Sequence, residues 1–234
     1  MSISGFSIAG QIVAGLAVGY VAASFVESVA HQHVSDAPNR YRLFWKHHPR
    51  LFGHFLKTYF SHHIIHHVRT FRTDHVTQFS SPEEKVRLDE VLARHGRHGA
   101  LIKKASYAVK LQGGGALTFV APLVATWPLL YLAFGPWVAV GALVTMSGPP
   151  ILSNWAHPHL HKPHDRARAE APAWVSWLLG TRYGRAMMRN HFLHHRYEDC
   201  CYNLLLGADY MRGAYRSPSP EDIAEMERIG IPVR

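Results

Sequence analysis

Residues 3–30 read ISGFSIAGQIVAGLAVGYVAASFVESVA, a stretch of small and apolar side chains in which Gln11 and Glu27 are the most polar residues. About 20 apolar residues are enough for a helix to cross the hydrocarbon core of a bilayer. A cleaved signal peptide is a weaker interpretation, because no basic residue precedes the stretch and it is long for the apolar part of such a peptide. The sequence therefore predicts a membrane span over residues 3–30.

A second apolar stretch covers residues 115–155. It is too long for one span, and Gly135-Pro136 at its middle is typical of a turn. We therefore expect a helical hairpin with arms over 115–134 and 136–155. Each arm supplies roughly 20 residues, which just suffices to cross a membrane.

The basic residues avoid both apolar stretches. The chain has 25 Lys and Arg, 16 Asp and Glu and a formal net charge of +9, and residues 1–39 and 111–153 contain no Lys or Arg. Because basic loops stay on the cytoplasmic side of a membrane, the N-terminus and the hairpin tip are expected on the opposite side. This topology accounts for the net charge, and no nucleic-acid-binding motif is visible, so we expect no nucleic-acid partner.

These observations predict an all-α protein, an integral membrane helical bundle with about three spans, one of which forms a hairpin. We expect a single membrane domain over residues 1–234, in which the spans carry a histidine-rich helical cap on the cytoplasmic side. The expected cap comprises residues 31–110 and 156–216, followed by a soluble tail over 217–234. Cys200 and Cys201 are adjacent and lie in no C-x-x-C motif, so we expect two packed thiols rather than a disulfide or a cysteine zinc site.

The chain contains 19 histidines, and the motif H-x-x-H-H occurs twice, in SHHIIHHVRTF (61–71) and in RNHFLHHRYED (189–199). On an α-helix, positions i, i+3 and i+4 share one face, so each motif should cluster three imidazoles. A further pair at i, i+4 follows the last expected span. The eight histidines of these motifs are His63, His66, His67, His157, His161, His191, His194 and His195. One zinc or iron ion takes about four to six ligands, so this set suits two ions.

A less regular group lies at the end of the first expected span, where Glu27 and His31 are four residues apart. We predict His31 as a ninth ligand. The further candidates are Glu27, His33, His47, His48 and His62. The remaining isolated histidines are expected to be surface or core residues rather than ligands; they include His75, His95, His98 and His164.

The order of these motifs resembles that of the fatty acid hydroxylase/sterol desaturase superfamily of membrane di-iron enzymes. The resemblance extends from Glu27 to about Tyr215: H-x-x-H-H, a membrane hairpin, H-x-x-x-H and a second H-x-x-H-H. The segment after the last histidine is similar to that of the family at five positions, with Ala214 in place of Thr. Those positions are Asn203, Gly207, Asp209, Gly213 and Tyr215.

The resemblance implies that the eight motif histidines hold two iron ions, Fe2+ or Fe3+, although purified protein could carry zinc instead. Asp199, Asn203 and Asp209 are expected to orient the ligands from outside. The first motif departs from the family pattern, because Ser35 or Asp36 stands where a histidine is expected. Either His33, His47 or His48 substitutes, or one metal has a carboxylate ligand or fewer ligands.

The expected activity is O2-dependent hydroxylation of a C–H bond in a lipid or other long apolar substrate, or desaturation at the same site. No haem, flavin or iron–sulfur motif is present, so electrons should come from a separate ferredoxin, rubredoxin or cytochrome b5-like donor. Two alternatives belong to other classes: a non-redox histidine-rich metal-binding or transport protein, and a hydrolase that uses a zinc pair.

Overall fold

A computed structural model of the chain describes residues 7–71, 75, 79–107 and 114–234. Every regular element in these residues is a helix, so the all-α prediction is confirmed for the described part of the chain. The α-helices are, in order, α1 (Ile8–Ala30), α2 (Asn39–His47), α3 (Pro49–Tyr59), α4 (Pro82–Arg94), α5 (Gly96–Tyr107), α6 (Gly114–Phe134), α7 (Pro136–Met146), α8 (Gly148–Trp155), α9 (His157–Leu160), α10 (His164–Glu170), α11 (Ala173–Gly180), α12 (Arg182–Tyr197), α13 (Ala208–Met211) and α14 (Pro220–Ile229). Two segments, His31–Ser35 and Phe60–Thr70, are π-helical.

Two helical stretches are long and apolar enough to cross a membrane: Ile8–Ser35, with 28 residues, and Leu117–Phe134, with 18. The third expected span, 136–155, is divided between α7 and α8 at Ser147. Pro149 and Pro150 follow Gly148 in the first turn of α8, and neither has an N–H group to continue the ladder of α7. The three-span arrangement therefore stays a prediction. The expected start of the first span, at residue 3, lies outside the described residues.

Helices α1 and α7 pack with their backbones in contact. A Cβ atom added at Gly15 would lie 2.1 Å from the carbonyl oxygen of Val138, and one added at Gly141 would lie 2.2 Å from that of Ile12. Gly19 follows Gly15 by four residues and packs on the same helix. This spacing of small residues is typical of membrane helices that approach each other closely.

The histidine-rich end of the molecule is built on one buried core. Leu160, Leu179, Met187 and Leu193 are fully buried in it, and they come from α9, α11 and α12. The expected tail packs on this core as well, since Met226 of α14 is also fully buried in it. The core thus fixes the orientation of α9 relative to α12, which both carry histidines.

The contact between α1 and α7 can be tested with a pair of alanine substitutions. Gly15→Ala should lower the free energy of unfolding by about 1–3 kcal/mol, because the new methyl group overlaps the α7 backbone. Gly53→Ala is the matched control, since a Cβ at Gly53 meets no atom within 4 Å. It should leave stability unchanged or raise it by about 0.5–1 kcal/mol. Thermal unfolding in detergent measures both, and equal shifts would contradict the packing.

Candidate metal centre

Ten side chains form two groups that could each hold a metal ion. Within each group, one potential ligand atom per residue lies within 4.8 Å of the others. We call the first group site A; it comprises His66, His157, His161, His191 and His195. We call the second group site B; it comprises His31, Asp36, His62, His67 and His194.

Site B depends on the two π-helical segments. A π-helix has hydrogen bonds between residues five apart, so residues i and i+5 lie near the same face. The Asp36 N–H donates to the carbonyl of His31 over 2.9 Å, which places these two ligands together. His62 and His67 are also five residues apart and lie in the π-helical segment Phe60–Thr70. This register brings His62, rather than His63, into the site.

The second H-x-x-H-H motif lies on a regular α-helix. Helix α12 begins at the Thr181 cap, whose hydroxyl accepts from the Gly184 N–H, and extends to Tyr197. His191 and His195 face site A, whereas His194 faces site B. The first motif divides in the same way, because His66 belongs to site A and His67 to site B.

The two sites are therefore adjacent, with side chains in direct contact. The rings of His67 in site B and His195 in site A stack with their centroids 3.9 Å apart and their planes 8° from parallel. His66 contacts both rings, with centroids 5.3 Å from that of His67 and 4.7 Å from that of His195. Two ions held in these sites would be close neighbours.

Backbone carbonyl groups set the tautomers of three ligands. Nδ1 of His31 lies 2.6 Å from the Tyr202 oxygen, and Nδ1 of His194 lies 2.9 Å from the Cys200 oxygen. In site A, Nδ1 of His161 lies 3.2 Å from a third carbonyl oxygen, that of residue 75. Because a carbonyl only accepts hydrogen bonds, each Nδ1 must carry the proton in a neutral ring, which leaves a lone pair on Nε2. Metal-binding histidines usually have such partners.

In site B these lone pairs surround a buried carboxylate. Nε2 of His31 lies 3.3 Å from Oδ2 of Asp36, and Nε2 of His194 lies 3.4 Å from the same oxygen. The Asp36 side chain is only 3% exposed. Lone pairs that face one another with no hydrogen between them repel. A cation bound between them would remove this repulsion, because each lone pair could coordinate it. The residues present therefore fit a metal ion.

The pKa shifts of Asp36 and His194 agree with this interpretation. Burial raises the pKa of Asp36, but the surrounding imidazoles, His62 foremost, lower it further, and the net pKa is well below the ordinary value. Burial lowers the pKa of His194, but the Asp36 carboxylate outweighs that effect and the net pKa is raised. A proton on His194 would thus supply part of the positive charge that a metal ion would bring.

Site A consists of imidazoles alone. Nε2 of His191 lies 2.8 Å from Nε2 of His161 and 3.1 Å from Nε2 of His157. Burial and the neighbouring histidines hold the pKa of His161 and of His191 well below the usual value. The neutral ring is the form that binds metal ions. The pKa shifts of these two residues therefore favour the form that could bind an ion in site A.

Several of the predicted ligands lie outside both groups. His63 instead lies 3.0 Å from Oδ1 of Asp36 through its Nδ1 atom. His33 packs its ring against Tyr41. Two further candidate ligands, His47 and His48, are exposed at the junction of α2 and α3.

Glu27, another candidate ligand, also lies outside both groups. Its Oε2 atom accepts hydrogen bonds from the Leu205 N–H over 2.8 Å and from Asn203 Nδ2 over 3.3 Å. The carboxylate thus anchors the segment that follows α12 to α1. Glu27 also lines a pocket, described below.

Asn203 and Asp209 act on the ligands indirectly. The Asn203 N–H donates to Oδ2 of Asp209 over 2.7 Å, and the Asp209 N–H donates to the Asn203 side-chain oxygen over 3.0 Å. Ser28 of α1 donates to the other Asp209 oxygen over 2.5 Å. These bonds fix the loop whose carbonyls hold His31 and His194. Asp199 is exposed and takes no part in this network.

Two contributions are only partly visible in the sequence. The motifs leave Asp36 as one of several ways to complete the first group, and its five-residue spacing from His31, equal to that between His62 and His67, is the signal that points to it. His75 is buried and lies outside both groups, as expected for a core residue rather than a ligand. Its carbonyl oxygen nevertheless accepts from His161, and its ring lies 4.7 Å from that of His161. His95 is exposed and His164 contacts the Leu179 carbonyl, so both lie outside the sites.

A pocket opens beside both sites. It is lined by His31 and His62 of site B and by His157 and His191 of site A. The rest of its wall comes from α1, α6, α8 and the loop after α12; these residues are Glu27, Phe119, Pro149, Ser153 and Leu204. A molecule in this pocket would contact both sites at once, against a largely apolar wall.

Comparison with known proteins gives no match to a protein-family model, to a curated protein or to a solved structure. The resemblance to the fatty acid hydroxylase superfamily therefore stays a prediction based on the motifs.

The π-helical register can be tested by comparing His62→Ala with His47→Ala. His62→Ala removes one of the five potential ligands of site B. If each group holds one ion, the metal content of purified protein should fall from two ions per chain to one. His47→Ala changes an exposed histidine of the same cap and should leave the metal content unchanged. Elemental analysis measures both. Full metal content in His62→Ala would show that His62 is not a ligand.

The loop network can be tested with Asp209→Asn. The amide would place a donor opposite Ser28 or the Asn203 N–H, and an unsatisfied buried polar group costs about 1–3 kcal/mol of stability. We expect a lower unfolding temperature and weaker metal binding at site B. Asp199→Asn is the matched control on the exposed side of the same loop and should change neither quantity. Equal effects of the two substitutions would contradict the assignment.

Proposed function

We propose that the chain is an integral membrane oxygenase that holds two iron ions and hydroxylates a C–H bond of a lipid or other long apolar molecule with O2. The observation that carries this proposal is the pair of adjacent five-ligand groups that border one apolar-walled pocket. The metals and the substrate would meet in that pocket.

The surface of the apolar helices supports a membrane location. Large apolar side chains on α1 and α6 point outward, with Val13 63% exposed, Leu129 64% and Leu132 79%. Exposed apolar surface of this extent is unfavourable in water and favourable in lipid. We infer that α7 and α8 together form a third span, and that the basic, histidine-rich end lies on the cytoplasmic side.

Two iron ions would supply the activation of O2 and the removal of hydrogen from an unreactive C–H bond. The residues of the chain hold them and shape the pocket. Phe119, Pro149 and Leu204 offer an alkyl chain an apolar surface, and a bound chain would displace water from the site. Because Phe119 belongs to a candidate span, a lipid could enter the pocket sideways from the membrane.

Hydroxylation needs a source of electrons. The substrate and O2 take up two electrons and two protons and yield an alcohol and one water molecule. We propose that a separate ferredoxin, rubredoxin or cytochrome b5-like protein donates the electrons. The Lys and Arg residues lie outside the two apolar stretches, and their positive charge would attract an acidic donor.

Two other functions are compatible with the same centre. A desaturase would remove two hydrogens from neighbouring carbons at the same site. A metal carrier is the candidate from another class, since imidazole ligands bind zinc, copper or nickel as well as iron.

The test is O2-dependent turnover by the full chain in lipid nanodiscs, loaded with Fe2+ and supplied with a reductant and a lipid extract. We expect a product that gains one oxygen atom from labelled O2, and none with His191→Ala; His47→Ala should retain activity. A product that loses two hydrogens would indicate a desaturase. Exchangeable metal without any O2-dependent product would contradict the oxygenase and favour the carrier.

A further inference from the structure

We propose that the two metal positions are inequivalent: site B binds a divalent transition-metal ion more tightly than site A, and His63 is a positioning residue that maintains this difference through Asp36. The inference rests on the proposed two-metal centre but not on the proposed reaction.

The difference begins with charge. Asp36 is the one carboxylate among the ten residues of the two groups, and it belongs to site B. Site A offers five imidazoles and no carboxylate, so no carboxylate of that group would offset the charge of a cation bound there. The attraction between a cation and an anion is stronger in a buried environment than in water. The Asp36 carboxylate should therefore favour ion binding at site B.

The two oxygens of Asp36 have different roles. Oδ1 lies 3.0 Å from Nδ1 of His63. Oδ2 faces the ligand nitrogens, at 3.3 Å from His31, 3.4 Å from His194 and 3.7 Å from His62. The contact with His63 thus fixes the rotation of the carboxylate and keeps Oδ2 directed into site B.

The His63 ring is itself held in place. It stacks on Tyr59, with centroids 5.0 Å apart and planes 22° from parallel. The Tyr59 hydroxyl accepts a hydrogen bond from Arg42 over 2.7 Å, so the partner of the stack is fixed as well. Nε2 of His63 lies 3.9 Å from a carboxylate oxygen of Glu198, on the side away from Asp36. His63 therefore contacts a ligand without being one.

The experiment is a Co2+ titration of the metal-free, full-length protein in nanodiscs, with a competing chelator and with the visible absorption of bound cobalt as the readout. The wild type should bind two ions in two steps that differ at least tenfold in affinity. Asp36→Asn should weaken the tighter step by more than about tenfold, and by more than His63→Ala does, because it removes the only carboxylate of site B. It should leave the weaker step nearly unchanged.

His63→Ala should weaken the same step by about tenfold and shift the absorption of the first bound ion. His63→Asn keeps an amide donor near Asp36 and should restore most of the affinity, which a general loss of stability would not allow. His157→Ala, in site A, should weaken the other step instead. If Asp36→Asn does not fold, the comparison of His63→Ala with His63→Asn decides the question.

Two equal steps in the wild type would overturn the inference. So would a loss shared by both steps in Asp36→Asn, or an unaltered first step in His63→Ala. Binding of fewer than two ions by the wild type would overturn both the inference and the proposed centre. Two unequal steps without any O2-dependent product would support the inference and refute the oxygenase.

Discussion

The structure depends on one constraint: many imidazole lone pairs and a single carboxylate are buried in one place. Asp36 Oδ2 lies within 3.7 Å of Nε2 of His31, His62 and His194. In His31 and His194 the other ring nitrogen, Nδ1, donates its proton to a backbone carbonyl, which leaves a lone pair on Nε2. Burying such groups without a compensating positive charge is costly. A pair of metal ions would supply that charge.

The rest of the fold brings these groups together from distant parts of the chain. The glycine contacts of α1 with α7 position α1, and His31 follows directly after its last residue. The loop after α12 is held to α1 by Glu27, Asn203 and Asp209, and its carbonyls orient His31 and His194. Ligand geometry is thus fixed by contacts between elements rather than within one element. Such outer contacts tune how tightly a centre holds its metal.

Part of this arrangement could be predicted from sequence. The second H-x-x-H-H motif lies on an α-helix, so the i, i+3, i+4 rule applies to His191, His194 and His195, and all three lie in the two sites. The same rule predicts that His63 lies with His66 and His67. It fails there because Phe60–Thr70 is π-helical, and the five-residue register substitutes His62.

Other features depend on contacts that no local pattern specifies. Asp36 becomes a site B residue through a five-residue hydrogen bond to His31, so its spacing from His31 matters only because the segment is π-helical. The carbonyl that orients His161 comes from residue 75, 86 positions away in the chain. The break between α7 and α8 falls beside Pro149, within a stretch whose composition alone fits one span. Composition sets the class of the fold, whereas these details require three-dimensional packing.

The most direct test of the two-metal centre is the metal content of the wild-type chain after mild purification from cells grown with iron-57, combined with Mössbauer spectroscopy. We expect two iron ions per chain, in two distinguishable environments that are magnetically coupled. One ion per chain, none, or two ions without coupling would contradict this expectation.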